Sequence, residues 1–182
     1  MQENYTESAR QVQRLAKRTA KACGHSYVGS EHLLLGLVQE KNGTAGVILR
    51  DHQVEEEKLR KLIEELVAPQ GNTVLEEKSQ LSPRAQYILE DAVEIAQFFE
   101  NTQVGTEHIL LGILKDVECV AARLLHTMGV SLQKLYMDLV TVMGIPEEKY
   151  KDFLKNAKAE ASMGSMTPML DQYSRDLTEL AA

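Results

Sequence analysis

The stretch Val28-Gly29-Ser30-Glu31-His32-Leu33-Leu34-Leu35-Gly36-Leu37-Val38 recurs 76 residues later as Val104-Gly105-Thr106-Glu107-His108-Ile109-Leu110-Leu111-Gly112-Ile113-Leu114. Seven of the eleven positions are identical, and the other four exchange Ser for Thr or one aliphatic residue for another. The offset runs through the flanks without a gap. Thr6 falls on Ser82, Ala9 on Ala85, Ala16 on Ala92, Ala20 on Ala96, Ile48-Leu49 on Leu124-Leu125, Val54 on Val130 and Leu59 on Leu135. Two copies of one supersecondary unit therefore fill most of the chain, each able to bury its apolar face against the other.

Those faces are helical. Ala9, Val12, Ala16, Thr19 and Ala20 recur at three- and four-residue spacing behind the cap Thr6, with Arg10, Arg14, Lys17, Arg18 and Lys21 on the rest of the first helix. Gly24 to Gly29 breaks it, and Ser30 is expected to cap a second helix with Glu31 in its first turn and a stripe of Leu33, Leu34, Leu37 and Val38. Gly36 and Gly112 sit inside helices at a penalty of about 1 kcal/mol relative to Ala, which points to another helix crossing too close for a side chain. Asn42-Gly43 ends the second helix, Thr44 is expected to cap a third, and Glu55 to Val67 forms a charged fourth.

Residues 68 to 81 read as a connector with a short extended piece near Thr73 to Leu75. Ser82-Pro83 is a cap followed by Pro at the first helical position. A second set of helices follows: Pro83 to Phe98, Glu107 to Lys115, Cys119 to Thr127 and Leu132 to Met143. Pro146 opens a further amphipathic stretch reaching Ser162, and the resumed periodicity from Met169 suggests a chain cut from something longer. The expected architecture is all-α, with repeats at about 5–67 and 81–143 in a domain of 1–144, then an extra helix and linker over 145–182.

With 43% apolar residues and no Trp, the core must come from Leu, Ile, Val and Ala. A net charge of −7 weighs against nonspecific nucleic-acid binding and fits a cytoplasmic protein, and no apolar run reaches the roughly 20 residues of a membrane span. Cys23 and Cys119 read as small buried hydrophobes in a reducing compartment. Glu31-His32 and Glu107-His108 lack the second His, four positions on, of a zinc-protease helix, and His25 and His52 complete no ligand quartet, so structural histidines are favoured over a metal. There is no phosphate loop and no nucleophile–base pair, which leaves this segment without a catalytic site. Ser30-Glu31 and Thr106-Glu107 each join helix N-terminal amides to a carboxylate, a place for an anion beside a guanidinium. Simple capping explains their spacing equally well.

The duplicated VG(S/T)EH(L/I)LLG(L/I) core, with Tyr5-Thr6 near the start, resembles the N-terminal domain of the Clp/Hsp100 ATPases, in their ClpC branch, over residues 1 to about 144. Thr167 to Thr178 is similar to the segment leading into the first ATPase module. The resemblance implies a pseudo-twofold domain of two four-helix repeats that recruits adaptors and unfolded substrate proteins for an unfoldase working with a ClpP-type protease. ATP and magnesium would belong to ATPase modules outside this fragment, which itself needs no cofactor; neither nucleic acid nor membrane is an implied partner. In Gram-positive ClpC proteins the domain also reads phosphoarginine, one pocket per repeat. The positions carried over are Thr6 with Glu31 and Ser82 with Glu107, at the Ser30 and Thr106 helix starts. Protein docking without phosphoarginine is the alternative. The second copy departs from the family's Gly-His-x-Tyr, kept as Gly24-His25-Ser26-Tyr27, by reading Glu100-Asn101-Thr102-Gln103. The loss of Gly at 100 and its added charge lead us to expect tighter binding at the Thr6/Glu31 pair.

Overall fold

In a computed structural model of the chain, the residues described are 4–25, 27–66, 81–146 and 148. By contact the chain divides into two compact units, Met1–Ile145 and Pro146–Ala182. The first contains, in order, α1 (Glu7–Ala22), α2 (Ser30–Gln39), α3 (Thr44–Asp51), α4 (Glu56–Leu66), α5 (Pro83–Phe98), α6 (Thr106–Lys115), α7 (Val120–Thr127) and α8 (Leu132–Val142). The connector and the stretch from Pro146 to Ser162 lie outside the described residues, apart from Leu81, Pro146 and Glu148.

α2 and α6 form the centre. Every residue from Ser30 to Val38 is buried, and α6 is buried at all but its second and last positions. A helix apolar all round belongs inside a protein; here α2 touches α1, α3 and α4 of its own repeat and α5, α6 and α7 of the other. α1 supplies the narrow stripe read from the sequence, Ala9, Val12, Ala16, Thr19 and Ala20. Its alanines bring the backbones together at Gly36, where an added Cβ would stand 2.7 Å from the Val12 carbonyl oxygen. At Gly112 it would stand 2.8 Å from the carbonyl oxygen of Ile88, the residue equivalent to Val12. The same crossing is thus built twice.

Two caps differ from expectation. The N-cap of α2 is Gly29, with Ser30 already helical, and the N-cap of α3 is Gly43 rather than Thr44. The tight fit selects glycine here: an added Cβ at Gly43 would lie 2.6 Å from Thr106 Oγ1. Thr6 and Ser82 do cap their helices, each hydroxyl accepting a backbone N–H at 3.1 Å. Cys119, fully buried with its thiol pushed up to about 11 by burial, caps α7 through a 3.4 Å contact from the Ala122 amide to Sγ.

Candidate functional site

The two repeats are tied crosswise at their helix starts. The Thr6 amide donates to the Val104 carbonyl at 2.9 Å, and the Val104 amide donates to the Asn4 carbonyl at 2.7 Å. In the equivalent place the Ser82 amide donates to the Val28 carbonyl at 2.9 Å. Both are parallel β-bridges, Tyr5 with Val104 and Leu81 with Val28. The start of α1 therefore lies beside the segment that leads into Glu107, and the start of α5 beside the segment that leads into Glu31. This corrects the expected pairing: the structure joins Thr6 to the Glu107 side and Ser82 to the Glu31 side. The resemblance pairs each hydroxyl with the glutamate of its own repeat, whereas a pseudo-twofold interface exchanges them.

Ser30 and Thr106 serve the exchange from within. The Ala121 amide, in the first turn of α7, donates to Ser30 Oγ at 3.1 Å, and the Ala45 amide, in the first turn of α3, donates to Thr106 Oγ1 at 3.3 Å. Each hydroxyl thus satisfies an open amide on the other repeat. Both residues are buried, and neither caps the helix on which it stands.

His32 and His108 take the capping role instead. The Gly29 amide donates to His32 Nδ1 at 2.8 Å, and the Gly105 amide donates to His108 Nδ1 at 2.8 Å. A nitrogen that accepts is unprotonated, so in each neutral ring Nε2 carries the hydrogen. His32 Nε2 donates it to His25 Nδ1 at 2.7 Å, and His108 Nε2 donates to Asn101 Oδ1 at 2.9 Å. His25 and Asn101 are equivalent positions doing one job with different chemistry. Burial holds His32 neutral, its pKa lowered to about 3, with His25 contributing the smaller part. The 3.5 Å approach of Glu31 Oε1 to His32 Nδ1 is consequently no ion pair.

His25, Glu31 and His32 bring one ligand atom each within 4.8 Å of one another. The tautomers argue against a cation there. His32 Nε2 could bind a metal only after losing its proton, and Nδ1 faces a donor, so the ring would have to become an imidazolate. The cluster is better described as a hydrogen-bonded lock on the start of α2.

The two glutamates occupy the same place in different surroundings. Each carboxylate folds back over its N-cap glycine, since an added Cβ at Gly29 or Gly105 would run into it. Glu31 is only 2% exposed, and desolvation raises its pKa against the opposing pull of its own backbone amide and of His25. The Glu107 side chain is 24% exposed. A ring nitrogen of His25 lies within 4.8 Å of the Glu31 carboxylate, and the equivalent position in the second repeat is the shorter Asn101. The difference expected at Glu100 does not arise from its backbone, because Glu100 (φ 58°) adopts the same left-handed turn as Gly24 (φ 71°).

The family model for the Clp repeat (R) N-terminal domain matches residues 4–128 and 80–173. The chain belongs to the Clp N-terminal repeat domain family. It is 36% identical over 177 residues to the negative regulator of genetic competence ClpC/MecB of Bacillus subtilis, and 35% identical over 176 residues to the ATP-dependent Clp protease ATP-binding subunit ClpC of Staphylococcus aureus. Each alignment covers 97% of this chain but 21% and 20% of those proteins, so the chain spans about a fifth of their length. Among solved structures, the N-terminal domain of ClpD from Arabidopsis thaliana superposes with a TM-score of 0.66 at 23% identity, covering 79% of this chain and 99% of that one. A ClpV N-domain in complex with a VipB peptide superposes with a TM-score of 0.60 at 14% identity, covering 78% and 88%. Clp N-domains are the non-catalytic recognition modules of Clp ATPases. Among the described residues no helix is long and apolar enough to cross a membrane.

The histidine locks give this Clp N-domain a pH dependence of definite sign. An unfolded His takes up its proton near 6.5, whereas His32 stays neutral in the fold until about 3. Below the ordinary value the unfolded chain binds the extra proton, so stability is present above about pH 6.5 and is lost as the pH falls. His32 alone should lower the unfolding free energy by about 2 kcal/mol between pH 7 and pH 5. His108 acts in the same direction, its pKa lowered chiefly by burial. Glu31, with a raised pKa, acts in the opposite direction and offsets part of the loss at the acidic end. Urea unfolding at the two pH values measures the sum; equal stabilities would contradict the neutral-ring assignment.

Proposed function

We propose that the chain is the substrate- and adaptor-recognition domain of a ClpC-like, ATP-dependent protein unfoldase of the cytoplasm that works with a ClpP-type protease, and that it binds phosphoarginine. ATP and magnesium would serve the ATPase modules of the parent protein, not this domain. The observation carrying the reading is the crossed helix starts, where a helix capped by Thr6 or Ser82 meets the segment bearing Glu107 or Glu31. Helix N-terminal amides suit a phosphate, and a carboxylate held a few residues away suits the guanidinium to which that phosphate is bonded. Arginine alone satisfies only the carboxylate, and phosphoserine only the amides.

The relatives named ClpC support the unfoldase assignment, and the VipB-bound ClpV domain supports peptide docking on this fold. Docking without phosphoarginine is favoured by one observation, the burial of Glu31, and applies to that cleft. Calorimetric titration with free phosphoarginine, beside arginine and phosphoserine, tests the reading. Saturable binding of phosphoarginine alone is the expected result. Absence of heat for phosphoarginine with a folded domain would remove that part of the proposal and leave protein docking.

A further inference from the structure

Away from the crossed clefts, equivalent turns of the two repeats face each other across a pocket of about 390 Å³. His52 and Gln53 line it from the first repeat, and Met128 and Gly129, 76 residues later, line it from the second. Residues related by the repeat that share one pocket place it on the pseudo-twofold axis. The wall contributed by α4 carries Lys58 and Lys61, and Leu62 adds an apolar surface beside Met128.

The pocket has the charge opposite to the molecule that holds it. In a chain of net charge −7, two ammonium groups stand on one wall. Lys58 has a single long ion pair, 3.9 Å to Glu55, with both side chains well exposed, and Lys61 has none among the described residues. Among the described residues the other carboxylate bonded to a pocket residue is Asp138, held by His52 at 2.6 Å. Space has been left as well. Gln53 and Gly129 share a left-handed backbone, φ 63° and 79°, so a side chain is accommodated in that turn in the first repeat. At Gly129 a Cβ would meet nothing within 4 Å, which keeps the second side open. The symmetry is broken at one of the two charges, because the equivalent of Lys61 is Met137, whereas that of Lys58 is Lys134. A ligand would consequently enter in one orientation.

We propose that this pocket docks an acidic segment of a partner polypeptide, with carboxylates on Lys58 and Lys61 and an aliphatic side chain against Leu62 and Met128. The volume is at the lower end for a ligand site and suits one or two side chains rather than a folded surface. Complementary exposed charge sets orientation and on-rate, while the apolar floor slows release.

The probe is a fluorescein-labelled Gly-Asp-Leu-Glu-Leu-Gly peptide, compared with its Asn/Gln counterpart by anisotropy and by amide chemical-shift mapping. The acidic peptide should bind more tightly, and the exposed double change Lys58→Glu with Lys61→Glu should weaken it about tenfold. Filling the open turn with Gly129→Gln should also weaken it, while Glu31→Ala with Glu107→Ala should leave it unchanged, separating this pocket from the phosphoarginine clefts. Shifts should gather at residues 52–62 and 128–129. Equal binding of the neutral peptide, indifference to the lysine reversal, shifts gathered elsewhere, or no binding at millimolar peptide would each overturn the proposal.

Discussion

Gly36→Leu should lower the unfolding free energy by about 3 kcal/mol, the upper end of the usual range for overpacking. Helix propensity pulls the other way by only about 1 kcal/mol, so sterics decide the sign. The obstacle is backbone, the Val12 carbonyl oxygen at 2.7 Å from an added Cβ, with Val12 Cγ1 at 3.3 Å. A flexible side chain could swing aside; a carbonyl inside α1 cannot move without displacing the helix. Thermal unfolding should drop by roughly 10 °C for a domain of this size. An unchanged melting temperature would mean that α1 and α2 do not cross at Gly36.

The second large effect concerns ligand binding. Glu107→Ala should weaken phosphoarginine binding about tenfold or more, the range of one charge-assisted contact, with little change in stability. Glu31→Ala should have a much smaller effect. Its side chain is 3% exposed, with His25 within 4.8 Å, and cannot meet a guanidinium unless the loop opens. Glu7, in the first turn of α1, brings a negative charge to the Thr6 cleft, but it is 75% exposed and paired with Arg14 at 2.6 Å. Screening of an exposed, paired charge makes that the weaker consideration. If the domain binds phosphoarginine as proposed, the tighter site should thus be the one containing Glu107, the opposite of the order expected from Gly24 and Glu100.

Much of the fold was legible because the repeat and the helical period point to the same answer. The inward stripe of α1, the caps Thr6 and Ser82, and the reason for Gly36 all follow from local spacing. What crosses between repeats was not legible. A hydroxyl at Ser30 looks like a cap for its own helix, and only the packed pair shows it accepting from Ala121, 91 residues away. The pairing of Thr6 with Glu31 came from the family resemblance, and the constant offset could not test it, since it says which positions are equivalent and nothing about which are neighbours. The capping histidines left a signal that could have been read. Gly-x-Glu-His occurs twice with His at the third helical position, and an acceptor, His25 or Asn101, precedes each by seven residues. The greater exposure of the Glu107 side chain, 24% against 3% for Glu31, is a property of the packed structure that no periodicity encodes.

The crossed arrangement of the clefts is tested most directly by two double-mutant cycles read through phosphoarginine affinity, one combining Thr6→Ala with Glu107→Ala and the other Thr6→Ala with Glu31→Ala. Residues sharing one ligand should couple by about 0.5–3 kcal/mol, and residues in separate clefts should add within about 0.5 kcal/mol. Coupling of Thr6 to Glu107 with additivity to Glu31 is the predicted result. Coupling of Thr6 to Glu31 with additivity to Glu107 would contradict it.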